Sequence, residues 1–216
     1  MKKGTRILLT GGGTAGHVNP ALAIGAALAE EGSETLFVGV KGRAEEQVVP
    51  REGIPIRFVR ASGFPGARPS PALARFLVDL AIGTLQAAGV LLRFRPDVLV
   101  GTGGFASAPV IFAATALRKL RLLRSRVFVH EQNAVPGKLN QLVGRYAEKV
   151  FVTFPETLSL FPGNGAGTET PWSASRSRSR TWPALRVTDP SSFGRSTTTG
   201  APGSSTSCRP RCTHVT

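Results

Sequence analysis

Residues 6–20, Arg-Ile-Leu-Leu-Thr-Gly-Gly-Gly-Thr-Ala-Gly-His-Val-Asn-Pro, decide how the rest of the chain is read. Ile7-Leu8-Leu9 is an apolar run of the length of a buried strand, and glycines follow it closely. Gly11, Gly13 and Gly16 satisfy a G-x-G-x-x-G spacing between a strand and a helix. Glycines permit a tight turn and close backbone approach there. The helix N-terminus beyond them offers free N–H groups and the positive end of a dipole to an anion. A dinucleotide site of this kind also needs an acidic residue at the end of the second strand, to hold the ribose hydroxyls. Gly39-Val40-Lys41 stands there instead, which counts against an NAD-dependent enzyme and leaves it as a lesser alternative.

Outward from this loop, short apolar runs alternate with helical stretches. A helix is expected from Pro20 to Glu31, with Pro at its start and Gly32 past its end. Leu36-Phe37-Val38, Ile56 to Val59, Val98-Leu99-Val100, Val127-Phe128-Val129 and Val150-Phe151-Val152 read as further strands. Between them lie helices at Arg43–Arg51, from the end of a 63–71 loop to Phe94, at Ser107–Leu117 and at Pro136–Tyr146. Nearly continuous apolar strands separated by helices mean a parallel sheet covered on both faces, a doubly wound, Rossmann-like α/β domain. Ligands bind beyond the carboxyl ends of such strands, so the loops after strands one, four and five are where chemistry is sought.

Two more motifs lie at those ends. Gly101-Thr102-Gly103-Gly104-Phe105-Ala106-Ser107 follows strand four and opens another helix. Two glycine loops at strand ends suit a ligand with a diphosphate or several anionic oxygens; the alternative is that glycine merely lets helices pack closely on strands. His130-Glu131-Gln132-Asn133 ends strand five. Four polar groups beyond a buried strand are costly in a core and are expected to face a cleft. Otherwise they form a solvated loop with Asn133 capping the next helix.

The chain of 216 residues is basic, with 27 Lys and Arg against 13 Asp and Glu, a formal +14. Such charge suits polyanions. It is divided: residues 166–216 hold seven Arg against Glu169 and Asp189, and the remainder belongs to the body. Cys208 and Cys212 are the only cysteines, so no disulfide framework is expected in the body. That pair beside His214 is too sparse for zinc. The N-terminus does not read as a signal peptide, and no apolar window of membrane length is free of charge, so no spanning helix is expected.

After about Gly163 the texture changes. Residues 166–216 include 20 Ser or Thr, five Pro and four Gly, and apolar periodicity ceases. Such a segment cannot bury enough apolar area to offset its ordering entropy, so 165–216 reads as a low-complexity, disordered tail. A natural Arg/Ser-rich arm for nucleic acid is one origin; a shifted reading frame in a GC-rich gene is the favoured one, and no nucleic-acid partner is expected.

The order and spacing of G-G-G-T-A-G-H-V-N-P, G-T-G-G-F-A-S-A-P and H-E-Q-N-A-V-P-G closely resembles the MurG family. The resemblance covers residues 4–164 and includes Val48-Val49-Pro50 and Arg95-Pro96-Asp97. It implies a GT-B fold of two Rossmann-like lobes, with residues 1–164 the N-terminal, acceptor-binding lobe. The implied reaction moves N-acetylglucosamine from UDP-GlcNAc to lipid I, giving lipid II for peptidoglycan, with no cofactor and no metal. Thr14, Ala15, Gly16 and His17 are then expected at the cleft, although the family usually has Gly where Ala15 stands. Asn133 matches a donor-contacting Asn, and Gly103, Gly104 and Phe105 are expected to hold the acceptor's diphosphate.

Because the reaction inverts the anomeric centre, a base takes the proton from the acceptor's 4-hydroxyl, and His17 and Glu131 are the candidates. A binding role for His17 stays open. The acceptor's undecaprenyl chain implies an anionic membrane surface as partner, at its cytoplasmic face and peripherally. Arg68, Arg75, Phe76, Leu77, Leu80, Leu85, Leu91, Leu92, Arg93, Phe94 and Arg95 lie along the long helix and its entry loop, with Lys119, Arg121, Arg124 and Arg126 nearby in sequence. Most of the apolar ones are expected on the helix's core face, and a few at its exposed end are the expected contact. The family continues into G-N-P-V-R and a donor-binding lobe. Here Asn164 is followed by Gly165-Ala166-Gly167 and the tail, so the UDP-GlcNAc site is expected to be incomplete and the chain inactive alone; the alternative is a non-catalytic N-lobe remnant that still binds lipid I or membrane.

Overall fold

The computed structural model describes residues 4–161. The tail reading of 165–216, with its cysteines and tryptophans, lies outside the described residues. Six parallel strands, β1 (Arg6–Thr10), β2 (Glu34–Gly39), β3 (Ile56–Phe58), β4 (Val98–Gly101), β5 (Arg126–Glu131) and β6 (Lys149–Val152), form one sheet in the order β3-β2-β1-β4-β5-β6. This is the doubly wound α/β architecture expected from the alternating pattern.

Side chains alternate across each strand, and the two faces take different helices. Ile7, Leu9, Phe37 and Val100 point to the layer holding α1 (Ala15–Glu30) and α2 (Ala44–Arg51). Leu8, Leu36, Val38, Leu99, Val127 and Val129 point to the layer of α3 (Pro71–Phe94), α4 (Ser107–Lys119) and α5 (Lys138–Gly144). A short 3₁₀ helix, Pro155–Leu160, follows β6 and was not foreseen.

Local chemistry fixes the boundaries. Ser70 caps α3, its hydroxyl accepting from Leu73 N–H at 3.2 Å, with Pro71 at the first helical position. The helix ends at Arg95, left-handed at φ 49°, with Pro96 next. Asp97 then accepts from Arg6 N–H at 2.8 Å, pinning the start of β1 beside β4. α5, at Lys138–Gly144, is shorter than expected, but the largest departure from the expected boundaries is that α1 begins at Ala15, not Pro20. The Thr14 carbonyl accepts from His17 and Val18 N–H and starts the helix earlier. Pro20 lies inside it, where only the hydrogen bond back to Gly16 is lost. His17 therefore sits on the first helical turn.

By length and composition alone α3 is long and apolar enough to cross a membrane, although Arg75, Asp79 and Arg93 leave no 18-residue stretch of it free of charge, as expected from the sequence. Its Gly83, Ala87 and Leu91 are buried against the fold. Leu77, Val78, Leu85 and Leu92 are exposed, with Leu85 75% accessible.

Candidate functional site

The strand order reverses between β1 and β4, so the loops leaving their carboxyl ends flank the crevice where open α/β sheets bind ligands. Here the two glycine loops touch. Gly12 N–H donates to the Gly103 carbonyl at 3.2 Å. A Cβ on Gly104, at φ 75°, would stand 1.9 Å from the Gly12 carbonyl oxygen. A Cβ on Gly103 would strike the Asn140 amide at 2.7 Å and the His17 ring at 2.9 Å. Both glycines are thus demanded by neighbouring protein atoms before any ligand is considered. Thr102 completes the junction, its buried hydroxyl donating to the His17 carbonyl at 2.5 Å.

The first loop behaves differently: Thr14, Ala15 and Gly16 are exposed at the rim. A Cβ on Gly16 would meet only the Thr14 hydroxyl, at 3.8 Å. His17 is half-buried behind them, its Nδ1 2.8 Å from the Thr14 hydroxyl oxygen. Burial holds the His17 imidazole below the ordinary histidine pKa, and the negative charge of Glu131 only partly offsets this. The ring is therefore neutral near pH 7. If Nδ1–H donates to Thr14, Nε2 is the nitrogen that carries the lone pair.

Two fully buried carboxylates tie the loops down. Glu45 Oε2 accepts from Gly13 N–H at 3.2 Å and its Oε1 from Val40 N–H at 3.1 Å. It joins the loops after β1 and β2, a role sequence reading did not assign. Its signal was present: Glu45 and the buried Val49 are four apart and share the inner face of α2. Glu131 has both oxygens engaged. Oε1 accepts from the Asn133 backbone and side-chain amides, each at 2.9 Å, and Oε2 from Asn140 Nδ2 at 2.8 Å and Gly137 N–H at 3.3 Å.

The expectation that the four residues 130–133 face a cleft is thus corrected in part. His130 and Glu131 belong to β5 and are buried; the carboxylate of Glu131 is satisfied inside the turn that follows, whereas His130 Nδ1 has no partner among the described residues. Asn133 is exposed, and the next helix is capped by Gly137 rather than by Asn133. Four donors saturate Glu131 and leave it no free oxygen for proton transfer. His130 Nδ1, both amide atoms of Gln132 and Asn140 Oδ1 are buried with no partner among the described residues. Such groups hold hydrogen-bonding capacity in reserve at the rim. Asn140, also missed from sequence, is three residues from the buried Val143 on α5 and shares its inner face.

Phe105 points away from this group. Its ring covers Gly13, whose Cβ would lie 2.5 Å from it, and carries the Arg43 guanidinium 5.5 Å from its centroid. Beyond Arg43 opens a cavity of about 540 Å³ lined by Arg43, Arg60, Ser62, Arg75, Val78 and Asp79. The structure thus gathers Thr14, His17, Gly103, Glu131 and Asn133 along one rim, and sets Phe105 toward a second, cationic recess. Among the described residues no group of three or more His, Cys, Asp or Glu is arranged to hold a metal.

Residues 7–152 match the glycosyltransferase family 28 N-terminal domain. Two curated relatives are described as UDP-N-acetylglucosamine–N-acetylmuramyl-(pentapeptide) pyrophosphoryl-undecaprenol N-acetylglucosamine transferases. That of Geotalea uraniireducens is 41% identical over 163 residues, and that of Symbiobacterium thermophilum 42% over 161. Each alignment takes in 73% of this chain but only 42% and 41% of the relatives, so the chain spans about two fifths of their length. The crystal structure of Acinetobacter baumannii MurG superposes with a TM-score of 0.61 at 29% identity, covering 75% of this chain and 44% of that one.

Proposed function

This chain belongs to glycosyltransferase family 28, and from that premise we propose that residues 1–164 form the acceptor-side lobe of an inverting transferase. The lobe would bind lipid I for transfer of N-acetylglucosamine from UDP-GlcNAc, giving lipid II. The observation that carries this reading is His17, neutral and half-buried, presented on the first turn of α1 beside the exposed Thr14–Gly16 edge.

In this reaction the acceptor's 4-hydroxyl oxygen forms a bond to the anomeric carbon from the face opposite UDP. The bond from that carbon to the diphosphate oxygen breaks, and UDP leaves with the electron pair. The hydroxyl proton passes to His17 Nε2, whose pKa near or below neutrality matches a general base. Thr14 fixes the ring by accepting from Nδ1–H. Glu131 acts through position, holding Asn133 at the rim and Asn140 beneath Gly103, and its negative field favours the imidazolium as it forms. Stabilising UDP as charge develops requires donor-side groups. Those are expected from a second lobe and are not among the described residues, so Asn133 is the one donor contact proposed here.

The membrane is the second proposed partner, reached peripherally at its cytoplasmic face. The exposed stripe Leu77, Ala81, Leu85 and Leu92 on α3 has Arg75 and Arg93 beside it. An apolar stripe flanked by cations suits an anionic surface, at about 1 kcal/mol per basic residue.

The test is binding by the 216-residue chain of a soluble lipid I analogue and of UDP-GlcNAc, measured by calorimetry. The proposal expects saturable binding of the analogue, weakened by His17→Gln, and little or none of the nucleotide sugar. Absence of acceptor binding together with tight UDP-GlcNAc binding refutes it.

A further inference from the structure

The glycines at 103 and 104 are required by protein packing, and this opens the question of where an acceptor diphosphate would sit. The cavity beside them has the chemistry that the second glycine loop lacks. Arg43 lies at the N-terminus of α2, Arg60 follows β3, and Arg75 lies on the second turn of α3, so three elements converge on one recess of about 540 Å³. Asp79 is the only acid lining it, 3.7 Å from the Arg60 guanidinium and 3.9 Å from that of Arg75. Three guanidiniums against one carboxylate leave a formal +2. The Arg60 and Arg75 side chains are 57% and 84% exposed, so they remain available to a ligand. Ser62 adds a buried hydroxyl with no partner among the described residues.

The recess adjoins a tight apolar slot of about 20 Å³. Ala61 and Ser62 line both spaces, and the slot is walled by Phe64, Phe76, Leu80, Phe105 and Leu139. Phe64 and Phe76 meet edge to face with centroids 5.4 Å apart. Val78, at the mouth of the cationic recess, belongs to the exposed apolar surface of α3. A doubly charged head and an apolar tail are thus met in sequence.

We propose that the Arg43–Arg60–Arg75 recess seats the two phosphates of a prenyl-linked diphosphate, with the prenyl chain leaving past Phe64 and Phe76 onto the exposed face of α3. This rests on the acceptor-lobe reading and moves the diphosphate from Gly103, Gly104 and Phe105 to the arginines; Phe105 keeps a part as the platform under Arg43. Planar guanidiniums pair two-pronged with phosphate oxygens, which suits this task better than lysines would.

The test uses the full chain with two probes, farnesyl diphosphate and inorganic pyrophosphate, titrated calorimetrically. Farnesyl diphosphate should bind more tightly than pyrophosphate by about tenfold or more, the apolar surface of Phe64, Phe76 and the exposed face of α3 supplying the difference. Arg43→Ala and Arg60→Ala should each weaken both probes by about tenfold or more. Phe76→Ala should weaken only the farnesyl compound. Arg75→Gln changes a side chain that is 84% exposed and serves as the variant least able to disturb folding; it should weaken both probes as well. Equal affinity for the two probes would mean a site for soluble diphosphate and would overturn the prenyl assignment. Binding unchanged in all three arginine variants, or no binding by the native chain, would overturn the seat itself. Undiminished lipid I analogue binding in the arginine variants would move the seat while sparing the acceptor-lobe reading. Failure of the native chain to bind the analogue would sink that reading whatever farnesyl diphosphate does.

Discussion

The two glycine loops look alike in sequence, stand at the carboxyl ends of adjacent strands, and are used in different ways. In the second, Gly103 and Gly104 are pressed against Asn140, His17 and the Gly12 carbonyl, and their missing side chains are what lets the two loops meet. In the first, Gly11, Gly12 and Gly13 do that same packing work. The motif then runs on into an exposed edge, Thr14 to Gly16, that presents His17. Glycine spacing therefore marks where the chain must come close to something, without saying whether that something is protein or ligand. Geometry assigns the glycines of the second loop to contact with protein and leaves the last turn of the first exposed, where the acceptor is proposed to sit.

The largest effect expected from this contrast is on transfer. In a chimera joining this lobe to the remaining length of the Geotalea relative, His17→Gln should slow transfer by about 10² to 10⁴-fold. Its denaturation midpoint should stay nearly unchanged, because the ring is half-buried and makes one side-chain hydrogen bond. Loss of folding instead would make the first loop as structural as the second.

Gly104→Ala comes next. Its Cβ would collide with backbone at a positive φ, and a cost of about 3 kcal/mol or more in chemical denaturation is expected. Gly16→Ala, facing open space on a helix, should be neutral or stabilising by up to about 1 kcal/mol. Similar losses at both positions would erase the distinction between the loops.

Glu131→Gln should cost about 2 kcal/mol, since an amide cannot accept from all four donors that surround it. A variant as stable as the native chain but dead in transfer would restore Glu131 as a base.

The smallest effect is in pH. Burial keeps His17 and His130 below the ordinary histidine pKa, so the unfolded chain takes up protons first as pH falls. Stability should accordingly decline below about pH 6.5 and go on declining until the folded-state values are passed. His130→Gln should make the slope shallower in denaturation series at several pH values. A native chain whose stability rises toward acid would contradict this.

Much of the architecture was legible because apolar runs such as Ile7–Leu9 and Val98–Val100 have no other stable place than a sheet buried on both faces. The start of α1 was misplaced because Pro20 resembles a first helical residue. The Thr14 carbonyl had already begun the helix, and a proline one turn in removes only one hydrogen bond. At the site, Thr14, His17 and the rim position of Asn133 could be read from motif order. The burial of Glu131 could not, because it depends on donors from Gly137 and Asn140 that only the folded turn delivers. Glu45 was hidden among helix-forming acids, and Arg43, Arg60 and Arg75 lie on three separate elements that sequence alone does not bring together.

The central claim is that the first loop holds a neutral histidine with Nε2 free to accept a proton. Nitrogen-detected NMR of the histidine-labelled full chain reads this directly. The account predicts that His17 carries its proton on Nδ1, leaves Nε2 unprotonated at neutral pH, and titrates below the ordinary histidine value. A proton on Nε2, with Nδ1 accepting from Thr14, or a titration above the ordinary value would contradict it.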